Sequence, residues 1–419
     1  MKDKVQHIKQ KFSNNRKVAE NYFFMTFLNS ANLVISLLFF PYLIRTLGKE
    51  AYGMYVFILS NIQFFLIFVN FGFNYPALKK ISLHSTDNKI KSQTLSEVFT
   101  AKIYLLVLCT LVFLVLVFSV PFVRTNLVFY AVIFTSLSIC ILSPAWYFQG
   151  IQKMKFVTYL NLTVRILTIP LILIFVKSPA DLLNFTLIIT PLPVLGGVFT
   201  FFYLQIKEKA QIRFIPFTSL KPVFTDAMPF FWTSAFGTFK QESVTLIIGT
   251  FFSMGSVALW DLANKIISIP RMITNSINSA LFPKVVKNHN SESVKKIIRY
   301  ESFIGLAISL LITVFGYWAV LVLGGKEMLA AYPLAVILSF TIYTGLVVGC
   351  YVNFVFIPHN HYYFVTKNQL VSFVSFLLLS AIGLLISKNI IALVSAFALS
   401  HLVEIIYCRY LTKKHKLLC

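Results

Sequence analysis

The chain has 419 residues, 58% of them hydrophobic and only 12% charged, with a mean hydropathy of +0.79. A water-soluble domain carries about twice that charged fraction, so composition excludes a soluble globular protein and points to an all-α polytopic membrane protein. The formal charge of +23 would suggest nucleic acid in a soluble chain. Here the basic residues sit in short segments between apolar runs, with no glycine-rich RNA motif and no zinc spacing, so no nucleic acid is expected as a partner.

Residues 1–21 form a basic arm with six Lys or Arg. The first apolar run after it lacks a small-residue cleavage site and reads as a retained helix. Runs long enough to cross a hydrocarbon core follow at 22–44, 52–72, 97–119, 126–148, 157–176, 181–206, 227–250, 256–282, 301–323, 328–357, 368–387 and 389–411, which makes about twelve expected spans. Their connections alternate in character. The arm, the longer loops and the tail hold 26 of the 37 Lys and Arg, whereas the six short loops between them hold six. By the positive-inside rule both termini and the longer loops face the cytoplasm. The polar stretch 207–226 divides the spans six and six, giving an expected N-terminal lobe at 22–206, an inter-lobe loop at 207–226, a C-terminal lobe at 227–411 and a tail at 412–419. Trp146, Tyr147, Trp318 and Tyr410 fall near span ends, where an interfacial aromatic belt is expected. The five cysteines show no CxxC spacing and read as small buried hydrophobes, with no metal site or cofactor.

One span departs from the apolar norm. Within Leu259–Pro283, the residues Asp261, Asn264, Lys265, Ser268, Arg271, Asn275 and Asn278 share an arc of roughly 140° on a helix. A charge at the bilayer centre costs about 2.5–3.5 kcal/mol on insertion scales, so this stripe is expected to face a bundle interior or a water-filled cavity. Asp261 and Lys265, four apart, can pair along the helix. Lys240 and Glu242, two apart, cannot, so each needs another helix or water. Arg165 lies about eight residues inside its span, where a cavity wall and snorkelling compete, and Lys102 is close enough to the span end to snorkel. His401 and Glu404 share one face of the last span. A polar face on the first span (Asn21, Asn29, Asn32, Ser36) suits either sugar or a neighbouring helix.

Three segments resemble a known family. Pro41–Tyr55, with Arg45, Leu47, Gly48, Tyr52, Gly53 and Tyr55, resembles the first-loop pattern of the polysaccharide transporter family. Pro144–Met154 resembles the end of the fourth helix in Wzx-type O-antigen flippases, and Trp260–Pro283 resembles their eighth helix. The resemblance implies the multidrug/oligosaccharidyl-lipid/polysaccharide exporter fold, with two six-helix bundles around a central cavity in a bacterial inner membrane. It implies a flippase moving an undecaprenyl-diphosphate-linked oligosaccharide, such as an O-antigen or lipopolysaccharide repeat unit, from the cytoplasmic to the periplasmic leaflet without covalent chemistry. Its partners would be that lipid-linked oligosaccharide, membrane lipids, a polysaccharide polymerase and a chain-length regulator. An anionic headgroup asks for a cationic, amide-rich cavity, and arginine suits bidentate phosphate contacts. Arg271, Lys240, Lys265, Arg165, Asn264 and Asn275 are the candidate substrate contacts. Glu242, Glu404, His401 and Asp261 are candidates for proton coupling, with plain packing as the rival reading. A multidrug exporter of the same fold would favour an acidic, aromatic cavity. A membrane polymerase or glycosyltransferase would favour a long outer loop or a paired-carboxylate motif, and neither occurs.

Overall fold

The computed structural model describes the backbone of residues 2–288 and 291–418 and the side chains of residues 20–274, 278, 285 and 291–418. Among these residues there are helices and no strands. In chain order they are α1 Lys2–Asn70, α2 Asn74–Leu83, α3 Asn88–Ser119, α4 Pro121–Thr125, α5 Leu127–Phe134, α6 Ile139–Leu142, α7 Ala145–Gly150 and α8 Met154–Phe175. They continue with α9 Leu182–Ile189, α10 Pro191–Ile206, α11 Lys221–Phe251, α12 Met254–Asn288, α13 Ser291–Gly324, α14 Ala331–Cys350, α15 Tyr362–Ile386 and α16 Ile390–Lys414. A π-helical turn, Tyr351–Phe356, extends α14.

The chain is a multi-pass membrane protein. Nine helical stretches among the described residues are long and apolar enough to cross a bilayer, against the twelve spans expected. The difference has two physical sources. One qualifying stretch, Glu20–Asn70, is 51 residues long and covers both of the first two expected spans. The helices α11 and α12 do not qualify because they carry the intramembrane charges: Lys240 and Glu242 in one, Asp261, Lys265 and Arg271 in the other. Large apolar side chains face outward along the spans, with Phe303 77%, Leu310 66% and Leu385 86% exposed, as lipid-facing surfaces require.

Contacts group the chain into two compact units. The first comprises residues 1–35 and 65–231, the second residues 36–64 and 232–419. The core of the first unit is built around Trp146, Tyr147 and Phe148 of α7, all buried with Phe73, Ile81 and Leu204. This corrects the interfacial reading of Trp146 and Tyr147, which are core residues; Trp318 and Tyr410 are exposed. The α7 helix packs on α2 so closely that a Cβ on Gly150 would lie 2.6 Å from Ile81 Cγ2. Asn21 serves a neighbouring helix, since its Oδ1 accepts from Met154 N at the start of α8 (3.0 Å).

In the second unit, the Pro41–Tyr55 segment docks on the start of α12. Gly48, at φ 75°, breaks α1 into two helices in a conformation that L side chains rarely adopt. Leu47 and Tyr52 are buried, and a Cβ on Gly53 would lie 1.8 Å from Met254 O. Glu50 Oε2 accepts from Gly255 N (2.7 Å), placing a carboxylate at the N-terminus of α12, where the orphan N–H groups and the helix dipole favour it.

Candidate functional site

A cavity of about 360 Å³ opens inside the second unit, lined from α11, α12, α14 with its π-helical turn, α15 and α16. It brings together Lys240, Arg271, His401 and Glu404, four residues that the sequence scatters over more than 160 positions. The π-helical turn contributes Val352 and Asn353, and such irregular turns recur at functional sites because they re-aim side chains.

Glu404 is the hub. Its Oε1 accepts from Asn368 Nδ2 (3.0 Å) and Gln369 Nε2 (3.3 Å), and its Oε2 accepts from Ser372 Oγ (3.0 Å). His401 Nδ1 lies 3.2 Å from the same Oε2, one turn away on α16. Lys240 Nζ is 4.0 Å from Oε2 and reaches it through serine, donating to Ser372 Oγ at 2.6 Å. Lys240 and Glu404 are both buried, so each charge depends on the other. The Lys240 ammonium also sits 5.0 Å from the Phe397 ring centroid.

Arg271 is the cation of this cavity with least invested in the protein. Its Nη2 donates to Thr341 Oγ1 (2.7 Å), and no carboxylate lies within ion-pair distance among the described residues. A guanidinium has five N–H donors, so most of its donor capacity is open to a ligand. Among the described residues, His401 Nε2 is buried without a hydrogen-bond partner. The cavity therefore offers a planar cation, three carboxamides (Gln241, Asn353 and Gln369), an imidazole nitrogen and an aromatic face. That set suits a polar, anionic ligand fragment of modest size.

Asp261 and Lys265 stand apart from the cavity. They form an ion pair along α12, with Tyr52 Oη donating to Asp261 Oδ2 (2.7 Å) and Lys265 Nζ donating to Tyr52 Oη (3.0 Å). The ammonium also lies 5.3 Å from the Phe40 ring centroid. Both charges are thus spent inside a knot that fastens the Pro41–Tyr55 turn to α12, and neither lines the cavity. Glu242 points elsewhere again and accepts from Ser60 Oγ (2.6 Å), as expected of a residue that cannot share a face with Lys240. Asn264 donates to Trp260 O (3.0 Å) and meets the cavity only through Gln241 Nε2, at 3.5 Å. The side chain of Asn275 lies outside the described residues. Arg165 belongs to the first unit, half-buried on α8 beside exposed Ile166 and Leu167, and is not part of this cavity.

Lys102 does not snorkel. It is 2% exposed inside the first unit, and its Nζ donates to Asn70 Oδ1 (3.0 Å), Asn74 Oδ1 (3.2 Å) and Cys140 O (3.0 Å). Three acceptors replace the water that snorkelling would have supplied.

Sequence reading missed Asn368, Gln369 and Ser372 because it began their span at residue 368. The helix α15 begins at Tyr362, which carries them well inside. Glu301 was missed for the same reason: α13 begins at Ser291, and Glu301 is 2% exposed, accepting from Cys350 Sγ (3.0 Å). Polar residues recurring at 368, 369, 372 and 375 in an apolar run were the available signal.

A family model described as "Polysaccharide biosynthesis protein" matches residues 18–289, more than half of the chain. Two curated relatives carry the name "Putative O-antigen transporter". The Escherichia coli (strain K12) protein is 26% identical over 310 residues, covering 72% of this chain and 74% of its own. The Shigella dysenteriae protein is 23% identical over 318 residues, covering 74% and 78%. Among solved structures, the lipid II flippase MurJ in an inward closed conformation superposes with a TM-score of 0.63 at 14% identity, covering 94% of this chain and 87% of that one. An inward-facing multidrug resistance MATE family transporter of the MOP superfamily superposes with a TM-score of 0.65 at 12% identity, covering 91% and 95%. At such identities the superpositions show a shared fold.

Proposed function

Because the chain belongs to the polysaccharide biosynthesis protein family, we propose that it is a flippase for a lipid-linked oligosaccharide, a transporter with no covalent chemistry of its own. The substrate in this reading is an undecaprenyl-diphosphate-linked repeat unit of the O-antigen or capsule class, moved from the cytoplasmic to the periplasmic leaflet. The name shared by the two curated relatives supports the substrate class. The 26 Lys and Arg on one set of loops support cytoplasmic termini. The lobes at 22–206 and 227–411 would alternate access to the two leaflets, with the lipid tail left in the bilayer.

The observation that carries this reading is Arg271, a half-buried guanidinium lining a cavity with a single side-chain hydrogen bond among the described residues. An uncompensated cation at membrane depth is costly, and an anionic headgroup offsets that cost only while it is bound. Lys240 is the second cation of the site, already shared with Glu404. The His401–Glu404 pair supplies the place where a proton would couple to the cycle, since one added proton changes how firmly Glu404 holds Lys240. A multidrug exporter is the second reading, favoured by the MATE superposition. Organic cations would meet Arg271 in this cavity, which weighs against it.

The test is the sidedness of lipid-linked glycan in membranes from cells with and without the protein. Loss of the protein should strand the completed oligosaccharide lipid in the cytoplasmic leaflet. Unchanged delivery to the periplasmic leaflet, in cells with no second flippase, would exclude the proposal.

A further inference from the structure

The first unit holds a second cavity, of about 750 Å³, with no part in the site above. It lies where the segment after α10 runs along the start of α3. The docking has a simple geometric basis. Ser92, Ser96 and Thr100 are four apart on one face of α3, a spacing of about 6.0 Å, and alternate residues of an extended chain are about 6.6 Å apart. Hydroxyls and backbone therefore keep step. Ser92 Oγ accepts from Gln211 N (3.2 Å), Ser96 Oγ from Arg213 N (3.0 Å) and Thr100 Oγ1 from Ile215 N (3.3 Å). Ser96 Oγ also lies 3.2 Å from Gln211 O.

This ladder holds Lys209, Gln211 and Arg213 opposite Lys89 and Gln93 of α3, and together they line the cavity. Three cations converge there and no carboxylate lines it. The nearby acids are committed elsewhere: Glu97 to Lys80 (3.0 Å), Glu208 to Lys153 (2.6 Å), and Asp87 to the start of α3, where its Oδ1 accepts from Lys89 N (2.8 Å) and Ile90 N (3.1 Å). Further along α3 the surface turns apolar. Phe214 and Phe217 are 62% and 60% exposed and pack edge-on against Tyr104, and Leu108 and Leu111 continue the exposed apolar face. Cations at the head of a membrane span, with exposed aromatics deeper along it, match the profile of a phospholipid: anionic headgroup first, acyl chains beyond.

We propose that this cavity binds the headgroup of an anionic glycerophospholipid, with its acyl chains along Phe214 and Phe217. Lys89, Lys209 and Arg213 contact the phosphate, and Gln93 and Gln211 contact the glycerol end. A free phosphate would use the cations but not the aromatics. The site rests on the first unit alone and stands or falls independently of the flippase reading.

The test is a titration of the purified full-length protein in neutral detergent with short-chain phosphatidylglycerol, phosphatidylcholine and inorganic phosphate. Phosphatidylglycerol should bind at least about ten-fold tighter than phosphatidylcholine, and each cation removed should weaken it about five-fold, the effect of one charge near a lipid surface. Lys89→Gln alone probes one exposed side chain with no fold risk; Lys89→Gln/Lys209→Asn/Arg213→Gln probes the whole cluster. Phe214→Ser should weaken phosphatidylglycerol and leave any phosphate binding unchanged. Equal binding of the two lipids, undiminished phosphatidylglycerol binding by the triple variant, or displacement of the lipid by equimolar inorganic phosphate would each overturn the proposal.

Discussion

Glu404 shows why a charge is tolerated inside a membrane protein. It accepts from Asn368, Gln369 and Ser372 and faces Lys240 at 4.0 Å, so the desolvation of a carboxylate is met by donors on two other helices, α15 and α11. Breaking such a pair strands the surviving charge. Glu404→Leu should therefore cost about 3–5 kcal/mol of stability. The double variant Glu404→Leu/Lys240→Met should recover most of the loss, because no unpaired ion is left behind. Denaturation in detergent checks both. Equal instability of the single and double variants would show that the amide and hydroxyl contacts, not the ion pair, hold this region. Arg271 is the opposite case: among the described residues it makes one side-chain hydrogen bond, to Thr341, and little of the described fold depends on it.

At the scale of elements, the spans were legible in the sequence and the helix ends were not. Hydropathy detects the apolar centre of a helix, but α13 and α15 run on through polar residues at their starts, from Ser291 and Tyr362. That extension carries Glu301, Asn368 and Ser372 from the expected edge into buried positions. Helical periodicity put Asp261, Lys265 and Arg271 on one stripe. Rotation alone could not say that Tyr52, far away in sequence, captures the first two, while Arg271, about 9 Å further along α12, lines the cavity. Likewise, nothing local distinguishes a snorkelling Lys102 from one clamped by Asn70, Asn74 and Cys140; only the packing of their helices decides. The family-like residues at Pro41–Tyr55 turn out to have a mechanical role, and two glycines separate it from permissive sites. Gly53→Ala places a Cβ against Met254 O and should destabilise by about 1–3 kcal/mol or force the turn off α12. Gly345→Ala, in open space within α14, should gain about 0.5–1 kcal/mol from helix propensity. Thermal unfolding of the two variants separates close backbone approach from a generic glycine effect.

For the whole molecule, the composition suits the proposed task of carrying a polar, anionic headgroup through an apolar solvent. The exterior is apolar along the spans, the loops carry most of the positive charge, and the buried charges inside the spans are ion-paired, clamped by neutral hydrogen-bond partners as Lys102 and Glu242 are, or held at a cavity. Asp261 with Lys265, and Glu404 with Lys240, belong to the first kind. Arg271 lies at the cavity, and the proposed transport depends on it. The most direct measurement is the leaflet distribution of lipid-linked oligosaccharide in cells whose only copy carries Arg271→Ala, with protein level and thermal stability matched to the wild type. The oligosaccharide lipid should stay in the cytoplasmic leaflet, as in cells lacking the protein, and Arg271→Lys should restore part of the transfer. Transfer by Arg271→Ala at the wild-type rate would contradict that dependence.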